Sequence, residues 1–388
     1  MAARRVVVLV SNDLSFDQRV RKTVATLESD GWEVEVWGRR LPDSVEVAWS
    51  ANTRRFKLPF QRGPLFYAAL QAVFLWKLLT TRRPDLIWAN DLDTLLPAHL
   101  VGLLRKVPRV YDSHEFFTEA EGLTGRPFQR GVWLALERWV LPRQRAVITV
   151  NDGIADAYAA RYPKARFGRP LVVRNMPVKR AEPVAPDRER WAAYGVPTDQ
   201  PIALLQGAFM DRDRGAKLAV EALGYGSGWR LVLVGAGPEF DWARSQQAQW
   251  GGRLHCLPRL PFDELAGLTA SADVGLSLDL GHHGNFYMSL PNKLFDYIHA
   301  RIPVIATPMP EVQRVVETFQ VGQILPDPSP AALAEALQAL LRRPTTEWRP
   351  ACETAAQALH WDADAAQIHT AVTLATKRMP ELAKDSAN

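Results

Sequence analysis

Residues 289–311 read SLPNKLFDYIHARIPVIATPMPE, and this stretch predicts a loop, a short helix, a buried strand and a second loop. Pro291 suits the first turn of the helix, because the N–H group that proline lacks would have no partner there. The strand follows at residues 303–306. The helix is amphipathic, with Leu294, Phe295 and Ile298 on its apolar stripe and Asn292, Lys293 and Asp296 on its polar face. A helix followed at once by a buried strand is typical of a parallel α/β sheet.

The start of this helix has the composition of an anion site. A helix start presents unpaired backbone N–H groups and the positive end of the helix dipole. Ser289, Leu290 and the neighbouring Lys293 could therefore hold a diphosphate, and Asp296, about one turn further on, could accept two sugar hydroxyls. The alternative is an ordinary surface helix whose charged residues are solvated.

Short apolar strands alternate with helical patterns along the chain, which predicts two parallel sheets covered by helices on both faces. The stretch Asn175–Pro183 contains two prolines and is expected to link two domains, at residues 1–178 and 179–362. The predicted strands are Arg5–Val10, Glu33–Trp37, Asp85–Ala89, Pro108–Asp112, Ala146–Val150 and Leu171–Arg174 in the first domain, and Ile202–Gln206, Arg230–Val234, Leu254–Cys256, Val274–Leu278 and Val304–Ala306 in the second.

The loop after the first strand, SNDLSFDQRVRK at residues 11–22, contains no glycine. A dinucleotide-binding enzyme would carry the G-x-G-x-x-G fingerprint there, so a Rossmann-type cofactor is not expected. Ligands of open α/β sheets bind beyond the carboxyl ends of the strands. Asp13, Asp17 and Arg19 are therefore candidates for binding an acceptor. Helix capping by Ser15 or Asp17 is the alternative.

The segment from Ser289 closely resembles the donor-sugar signature of family 4 glycosyltransferases, retaining enzymes of the GT-B fold, which commonly reads PSKLFEYMAAGKPVIAT. The resemblance implies an α/β fold of two Rossmann-like domains facing a cleft, with a C-terminal helix in residues 363–388 that crosses back to the first domain. It assigns Asp296 to the nucleotide ribose. The family's loop beside the sugar and phosphates corresponds to Phe286, Tyr287, Met288, Ser289 and Leu290, followed by Asn292. Many members carry a glutamate where this chain has Met288.

Three further segments resemble motifs of the same family. YDSHEFFTE at residues 111–119 matches the strand-end histidine motif, which implies that His114 positions the donor sugar and that Glu115 or Glu119 contacts His114 or the acceptor hydroxyl. QGAFMDRDRG at residues 206–215 resembles the diphosphate loop, although the first basic position is occupied by Ala208. VGAGP at residues 234–238 resembles a nucleotide-binding turn. The residues implied are Gly207, Arg212, Arg214, Gly235 and Gly237.

Composition fits a soluble globular protein of the cytoplasm. The 388 residues are 47% hydrophobic and 23% charged, and the two cysteines, Cys256 and Cys352, are too few for a disulfide framework or a thiolate metal cluster. The pairs Asp91/Asp93 and Asp211/Asp213 are interpreted as a helix cap and as partners of arginines, and His282 and His283 lack ligand partners at metal-site spacing. We therefore expect no metal and no cofactor other than a nucleotide sugar.

Charge is uneven along the chain. Residues 1–180 hold 29 Lys and Arg against 18 Asp and Glu, so the first half could face an anionic lipid, a membrane surface or a nucleic acid. Nucleic acid is not expected, because no zinc-finger, RNP or basic-zipper pattern is present. Leu65–Leu79 and Val132–Arg145 could lie in a membrane interface, or both could be helices that cover the sheet. No uninterrupted apolar run reaches the length of about 18 residues that a membrane span needs.

These observations predict a retaining glycosyltransferase that moves a sugar from a nucleotide-diphosphate sugar to a glycan or glycolipid acceptor, in polysaccharide, cell-envelope or glycolipid assembly. A GT-B nucleotide-sugar epimerase and a non-catalytic nucleotide-sugar-binding subunit are the alternatives, the latter because of Met288 and Ala208. The donor base and sugar, the acceptor and the oligomeric state stay open.

Overall fold

The computed structural model describes residues 3–42, 44, 46, 49–281 and 284–377. The chain forms two compact units. The first contains the residues up to Asn175 together with those from Asp364 onward, and the second runs from Met176 to Ala363. Each unit is built around its own parallel sheet.

The first sheet has the strand order β3-β2-β1-β4-β5-β6-β7, and every neighbouring pair is parallel. The order reverses between β1 and β4, which is the switch point where open α/β sheets bind ligands. The central strands are almost continuous apolar runs because helices cover both faces. The strands are β1 (Arg4–Asp13), β2 (Trp32–Arg39), β3 (Asn52–Phe56), β4 (Leu86–Asn90), β5 (Arg109–Ser113), β6 (Ala146–Thr149) and β7 (Leu171–Val172).

Five helices connect these strands: α1 (Gln18–Ser29), α2 (Gly63–Thr80), α3 (Leu92–Leu104), α4 (Pro127–Val140) and α5 (Asp152–Arg161). Crossovers between parallel strands are right-handed. The connections through α2, α3, α4 and α5 all step toward β7, whereas the connection through α1 steps toward β3. Helices α2, α3, α4 and α5 therefore cover one face of the sheet, and α1 covers the other.

The second sheet has the order β10-β9-β8-β11-β12-β13 and is also parallel throughout. Its switch point lies between β8 and β11. The strands are β8 (Ile202–Gly207), β9 (Arg230–Gly235), β10 (Leu254–Leu257), β11 (Val274–Ser277), β12 (Val304–Ala306) and β13 (Gly322–Ile324). The helices are α6 (Glu189–Ala192), α7 (Ala216–Ala222), α8 (Pro238–Gln246), α9 (Phe262–Ala270), α10 (Gly284–Tyr287), α11 (Asn292–His299), α12 (Pro310–Phe319), α13 (Pro330–Leu341) and α14 (Arg349–Ala358).

Two hydrophobic layers sandwich this second sheet. On one face, Leu204 and Val232 pack with Leu294, Phe295 and Ile298 of α11, the apolar stripe that the sequence predicts. On the other face, strand residues of opposite orientation pack against α7 and α13. The burial of α11 on the sheet fixes where its polar residues lie.

The last helix, α15 (Trp361–Thr376), begins in the second unit and joins the first from Asp364 onward. Asp364 receives a bidentate pair from the Arg174 guanidinium, with both N···O distances 3.0 Å. Further along, the ring of His369 lies 2.6 Å from a carboxylate oxygen of Asp30 at the end of α1. The helix therefore returns to the first unit, and the predicted fold class of two Rossmann-like domains with a returning C-terminal helix is confirmed.

Every strand that the sequence predicts is present, with boundaries that differ by a few residues at most. The sequence misses β3 and β13, which are the outermost strands of their sheets. Edge strands are half-exposed and short, so their sequences NTRRF and GQI lack the apolar runs that reveal the central strands.

Among the described residues, one helix is long and apolar enough to cross a membrane, by length and composition alone: α2, Gly63–Thr80. The sequence expectation counted uninterrupted apolar runs, and Gln71 and Lys77 interrupt this one.

Candidate active site

A buried carboxylate that the sequence analysis did not single out organises the second unit. Asp279 follows β11 at the switch point and is 1% exposed. Arg214 Nη1 lies 3.0 Å from its Oδ1, and Lys293 Nζ lies 2.9 Å from its Oδ2. Burial alone would raise the pKa of Asp279, but the two cations outweigh it and hold the pKa below its ordinary value. Two of the predicted catalytic residues therefore meet at one point.

The surroundings of Lys293 contradict the alternative of a solvated surface helix. The helical pattern placed it on the polar face, and there it is 8% exposed, because Asp279 from the neighbouring strand gives its ammonium group a buried partner. The Arg214 guanidinium also stacks 4.6 Å from the centre of the Phe286 ring. Lys293, Arg214 and Phe286 thus form one cluster around Asp279.

Asp296 is held by a relay of hydrogen bonds from the sheet. Gln206 Nε2, near the end of β8, donates to Asp296 Oδ2 at 2.9 Å. Thr269 Oγ1 of α9 in turn donates to Gln206 Oε1 at 2.8 Å. The relay fixes the carboxylate on the half-buried side of α11 while part of it stays accessible to solvent.

The loop expected beside the sugar and phosphates is partly helical, because Phe286 and Tyr287 belong to the single turn of α10. Phe286 is buried, whereas Tyr287 is 53% exposed. The N–H of Ser289 donates to the Phe286 carbonyl at 2.9 Å, so that donor is already in use. The buried Oγ of Ser289 has no hydrogen-bond partner among the described residues. Met288 is half-buried, Leu290 packs on the core and Asn292 is exposed at the start of α11.

The three predicted glycines lie at the ends of β8 and β9. Gly207 and Gly235 face each other across the two strands, and a Cβ on Gly235 would come within 2.1 Å of the Gly207 carbonyl oxygen. Gly237 precedes α8 with φ of 120°, and a Cβ there would meet the backbone of Met210. The Met210 carbonyl accepts from Glu239 N at 3.1 Å, so the loop of residues 208–213 packs against the start of α8. Arg212 on that loop is exposed.

Another arginine lies beside Ala208, the position at which the resemblance led us to expect a basic residue. Arg259, in the loop after β10, donates from Nε to the Ala208 carbonyl at 2.5 Å. Its side chain is exposed, so the charge is available to a ligand. No local motif signals this residue, because it is 51 positions from Ala208 in the chain.

The first unit has its own polar cluster, centred on His114, at the carboxyl ends of β4 and β5, next to the switch point between β1 and β4. Asp91 Oδ1 accepts from the backbone N–H of His114 at 2.8 Å, and Asp91 Oδ2 lies 3.5 Å from Nδ1 of the ring. The Nε2 atom lies 3.1 Å from Asn90 Oδ1 and 3.8 Å from Asp112 Oδ2. Burial would lower the pKa of His114, but the carboxylates of Asp91 and Asp112 outweigh it and raise the pKa to about 9. The imidazole is therefore protonated at neutral pH.

Asp91 occupies the N-cap position of α3, as the sequence predicts, but its side chain makes no cap hydrogen bond. It binds His114 instead, with a φ of 59° that residues other than glycine rarely adopt. Asp93, in the first turn of the helix, is buried beside Asp91. Burial and the Asp91 charge raise the pKa of Asp93 to about 8. The charge of Glu115 also raises the pKa of Asp93, which places Glu115 in the same cluster.

Residues 17–176 match the family model of the glycosyl transferase 4-like domain, and residues 200–343 match that of glycosyl transferases group 1. The chain is a family 4-like glycosyltransferase. The family resemblance that the sequence motifs indicated is confirmed.

Solved structures show the same GT-B fold as this glycosyltransferase. Sucrose-phosphate synthase from Thermosynechococcus elongatus is 20% identical, with 95% of this chain and 98% of that chain covered and a TM-score of 0.72. Alr3699/HepE of Anabaena, in complex with UDP, is 15% identical, with 95% and 99% covered and a TM-score of 0.70. WaaG, a glycosyltransferase involved in lipopolysaccharide biosynthesis, is 16% identical, with 96% and 100% covered and a TM-score of 0.65. No curated protein matches the chain in sequence.

The acceptor candidates of the glycosyltransferase already serve its fold. Asp17 caps α1 by accepting from Val20 N at 3.0 Å, so the capping alternative is confirmed for Asp17. The other cap candidate, Ser15, is not a cap; it lies in the short turn Leu14–Phe16, which Asp13 caps by accepting from Ser15 N at 3.0 Å. Arg19 is buried, and its guanidinium donates to Asp112 Oδ1 and to the Val173 carbonyl, both at 2.7 Å. Their role in acceptor binding stays a prediction.

Two further expectations concern Glu119 and metals. Glu119 Oε1 accepts from Arg130 at 2.6 Å and from Arg161 at 2.7 Å, which ties the loop after β5 to α4 and α5. Within the described part of the glycosyltransferase, no group of three His, Cys, Asp or Glu side chains could hold a metal ion. His282 and His283 lie outside the described residues.

Proposed function

We propose that this glycosyltransferase transfers a sugar, with retention of anomeric configuration, from a nucleotide-diphosphate sugar to a glycan or glycolipid acceptor. The second unit would bind the nucleotide and the diphosphate, and the first unit would bind the acceptor and supply His114. The assembly of polysaccharide, cell envelope or glycolipid is the context in which such acceptors occur.

The observation that carries this proposal is the cluster around Asp279. Two cations, Arg214 and Lys293, meet at the buried carboxylate of Asp279, and Arg214 also lies 3.7 Å from Asp211 Oδ1. Asp296 lies one turn along α11 from Lys293 and is pre-positioned by Gln206. Two fixed cations next to a fixed carboxylate suit a ligand with a diphosphate at one end and ribose hydroxyls at the other.

The reaction needs the charge that this cluster offers. The anomeric carbon exchanges its bond to a diphosphate oxygen for a bond to the acceptor oxygen, and the acceptor proton ends on the released diphosphate. Negative charge grows on the diphosphate in the transition state, and fixed cations there lower the barrier. Arg214, Lys293 and Arg259 would take that charge, and Asp296 would anchor the ribose. His114 would position the donor sugar, with Nε2 exchanging its contact with Asn90 for a hydrogen bond to the sugar and with Glu115 as a partner.

The names of the structural neighbours indicate which donors and acceptors to test first. Structures of Alr3699/HepE contain UDP or UDP-glucose, which makes uridine nucleotides the first donors to test. WaaG is involved in lipopolysaccharide biosynthesis, which favours an acceptor of the cell envelope. We further propose a cytoplasmic enzyme that needs no metal, because the arginine and lysine cations would do the work that a divalent ion does at other diphosphate sites.

Thermal stabilisation by nucleotides tests the donor site. UDP, GDP, ADP, dTDP, CMP and NAD would each be added at about a hundred times a plausible Kd, where a specific ligand stabilises by roughly 2.7 kcal/mol. We expect a shift with one nucleoside diphosphate, its loss in Asp296→Ala, and its retention in Asp327→Ala, which removes an exposed carboxylate of the same unit. A shift with NAD alone would contradict the proposal.

Turnover then separates a transferase from the alternatives. Release of nucleoside diphosphate that requires an acceptor, gives a product of unchanged anomeric configuration by NMR, and persists in EDTA is the expected result. Conversion of the donor without an acceptor would instead indicate an epimerase. Binding without any turnover would indicate a non-catalytic subunit.

A further inference from the structure

The outward face of α2 is apolar along its whole length. Between residues 65 and 79, the exposed positions recur at helical spacing, and all of them are apolar: Leu65, Ala68, Ala72, Trp76 and Leu79. A surface helix of a soluble protein normally carries polar residues on this face. The opposite stripe, Phe66, Leu70, Phe74 and Leu78, is buried in the first unit.

The neighbouring helices repeat the pattern. On α4 an exposed stripe is again apolar, with Phe128 79% exposed and Trp139 46% exposed at its two ends and Val132 and Ala135 between them. On α3 the last two residues, Leu103 and Leu104, are also exposed. The three helices cover the same face of the sheet, and α2 and α4 touch directly through the rings of Tyr67 and Trp133, 4.9 Å apart. We call the outward surface of α2, α3 and α4 the three-helix face.

The exposed charges on and beside the three-helix face are nearly all positive. Residues 62–83 and 103–109 contain no acidic residue, residues 126–145 contain only Glu137, which is fully buried, and Asp85 is the exposed acid beside Arg83. The exposed cations at the two ends of the helices are Arg62, Arg82, Arg83, Lys106, Arg126, Arg138 and Arg143. The apolar surface is thus flanked mainly by positive charge.

We infer that the three-helix face is a docking surface for an anionic lipid bilayer. Apolar side chains flanked by arginine and lysine, with tryptophans at the level of the head groups, are what a surface-bound membrane protein presents. A water-exposed apolar surface of this extent marks an interaction site, and a protein partner of unspecified charge does not explain why the flanking charges are nearly all positive.

The geometry favours a helix layer that lies on the membrane and does not cross it. One stripe of α2 is committed to the core of the first unit through Phe66, Leu70, Phe74 and Leu78, and a spanning helix would have to give up these contacts. The ends of α2 and α3 are also tied together, since Arg83 Nε donates to the Arg105 carbonyl at 2.8 Å. The inference does not depend on which sugar is transferred, because it concerns binding to lipid alone.

Co-sedimentation of the full chain with vesicles tests this surface. We expect binding to phosphatidylcholine vesicles that contain phosphatidylglycerol, much weaker binding to phosphatidylcholine alone, and release by alkaline carbonate. The double variant Trp76→Glu/Leu104→Glu should bind at least tenfold less. Tyr225→Glu places the same charge at a site in the second unit that is 65% exposed, and it should bind like the unmodified chain. Arg82→Gln/Lys106→Gln should lose about fivefold per charge on anionic vesicles only.

Other outcomes would overturn the inference. Unchanged vesicle binding by the double variant would show that another surface binds lipid, and resistance to carbonate would show a spanning helix. No vesicle binding together with a dimer that Leu104→Glu dissociates in light scattering would make a second copy the occupant. Circular dichroism checks that each variant folds. If Trp76→Glu/Leu104→Glu does not fold, Leu65→Glu/Phe128→Glu at the other end of the three-helix face gives an independent test.

Discussion

Gln206 fixes the carboxylate that we assign to the ribose. Without its amide, Asp296 would lose its 2.9 Å hydrogen bond from Gln206 and be held less firmly. We expect Gln206→Ala to weaken binding of the preferred nucleoside diphosphate about tenfold, roughly the 1.4 kcal/mol of one hydrogen bond to a charged group. Isothermal titration measures the affinity. Gln323→Ala, an exposed glutamine on β13 of the same sheet, is the matched control.

A nucleotide without ribose hydroxyls distinguishes positioning from general damage. A 2′,3′-dideoxy nucleoside diphosphate cannot use Asp296, so Gln206→Ala should change its affinity little. An equal loss for both nucleotides would mean that Gln206 supports only the structure of the unit.

Arg259 is the residue that we expect to replace the missing cation at position 208. Its Nε is anchored on the Ala208 carbonyl, which leaves the rest of the guanidinium for a phosphate oxygen. Arg259→Ala should weaken nucleoside diphosphate binding about tenfold and nucleoside binding hardly at all, because a nucleoside has no phosphate. Arg342→Ala, which removes an exposed cation elsewhere in the unit, should weaken neither. Equal affinity of Arg259→Ala and the unmodified chain for the diphosphate would remove Arg259 from the site.

The charge of His114 depends on Asp91, which makes a pH prediction possible. The folded pKa of about 9 exceeds the ordinary value near 6.5, so protonation of His114 stabilises the fold fully below pH 6.5, and that contribution is lost as pH rises through 9. Asp91→Asn should lower the pKa of His114, because it removes one of the two carboxylates that raise this pKa and leaves Asp112 in place. The change preserves shape, and asparagine tolerates the positive φ of this position.

NMR titration of the His114 ring measures this shift directly. In kinetics, the alkaline fall of kcat/KM should move from near pH 9 to lower pH in Asp91→Asn, whereas Asp156→Asn on the exposed side of α5 should leave it in place. A His114 pKa that stays near 9 in Asp91→Asn would rule out this pairing.

At the level of elements, α11 is placed by a tight contact with the sheet. Tyr297 of α11 packs over Gly275 of β11, and a Cβ at residue 275 would lie 2.2 Å from the ring. The Tyr297 hydroxyl is pinned between strands, 3.1 Å from the Leu204 carbonyl and 3.2 Å from that of Leu276. The ring cannot move aside without breaking these bonds, so the position of α11, and with it Lys293 and Asp296, depends on a glycine.

Gly275→Ala should therefore destabilise the second unit by about 2–3 kcal/mol and weaken nucleotide binding as well. Urea denaturation and titration calorimetry measure the two effects. Gly131→Ala is the control, since nothing lies within 4 Å of the added Cβ, and it should be neutral or slightly stabilising. An unperturbed Gly275→Ala protein would show that α11 tolerates displacement.

The same contacts explain what the sequence could and could not predict. The central strands, α11 and the motif positions were accessible because local hydrophobic patterns and short motifs encode them. The buried surroundings of Lys293 were not, because its partner Asp279 comes from another strand end. Gln206 and Arg259 act on residues 90 and 51 positions away, and no pattern within either segment announces those pairings. The outermost strands, β3 and β13, were missed because half-exposed strands have weak alternation.

At the scale of the whole molecule, each unit has a sheet and a hydrophobic core of its own, so their stabilities are separable. The chain leaves the first unit near Asn175 and returns at Asp364, whose carboxylate binds both Arg174 Nε and Nη2. A protein with two cores of this size is not expected to unfold in one step. We therefore expect two transitions in scanning calorimetry.

Selective perturbation assigns the two transitions. The preferred nucleoside diphosphate should raise only the transition of the second unit, since the residues that we assign to it all belong there. Asp364→Ala should lower only the transition temperature of the first unit. It should reduce that unit's free energy of unfolding by about 1–3 kcal/mol, because it leaves the Arg174 guanidinium without its buried partner. Asp362→Ala, in the second unit and half-exposed, should leave the first unit's transition in place. If nucleotide and Asp364→Ala instead shift one common transition, the two cores unfold as a single cooperative body.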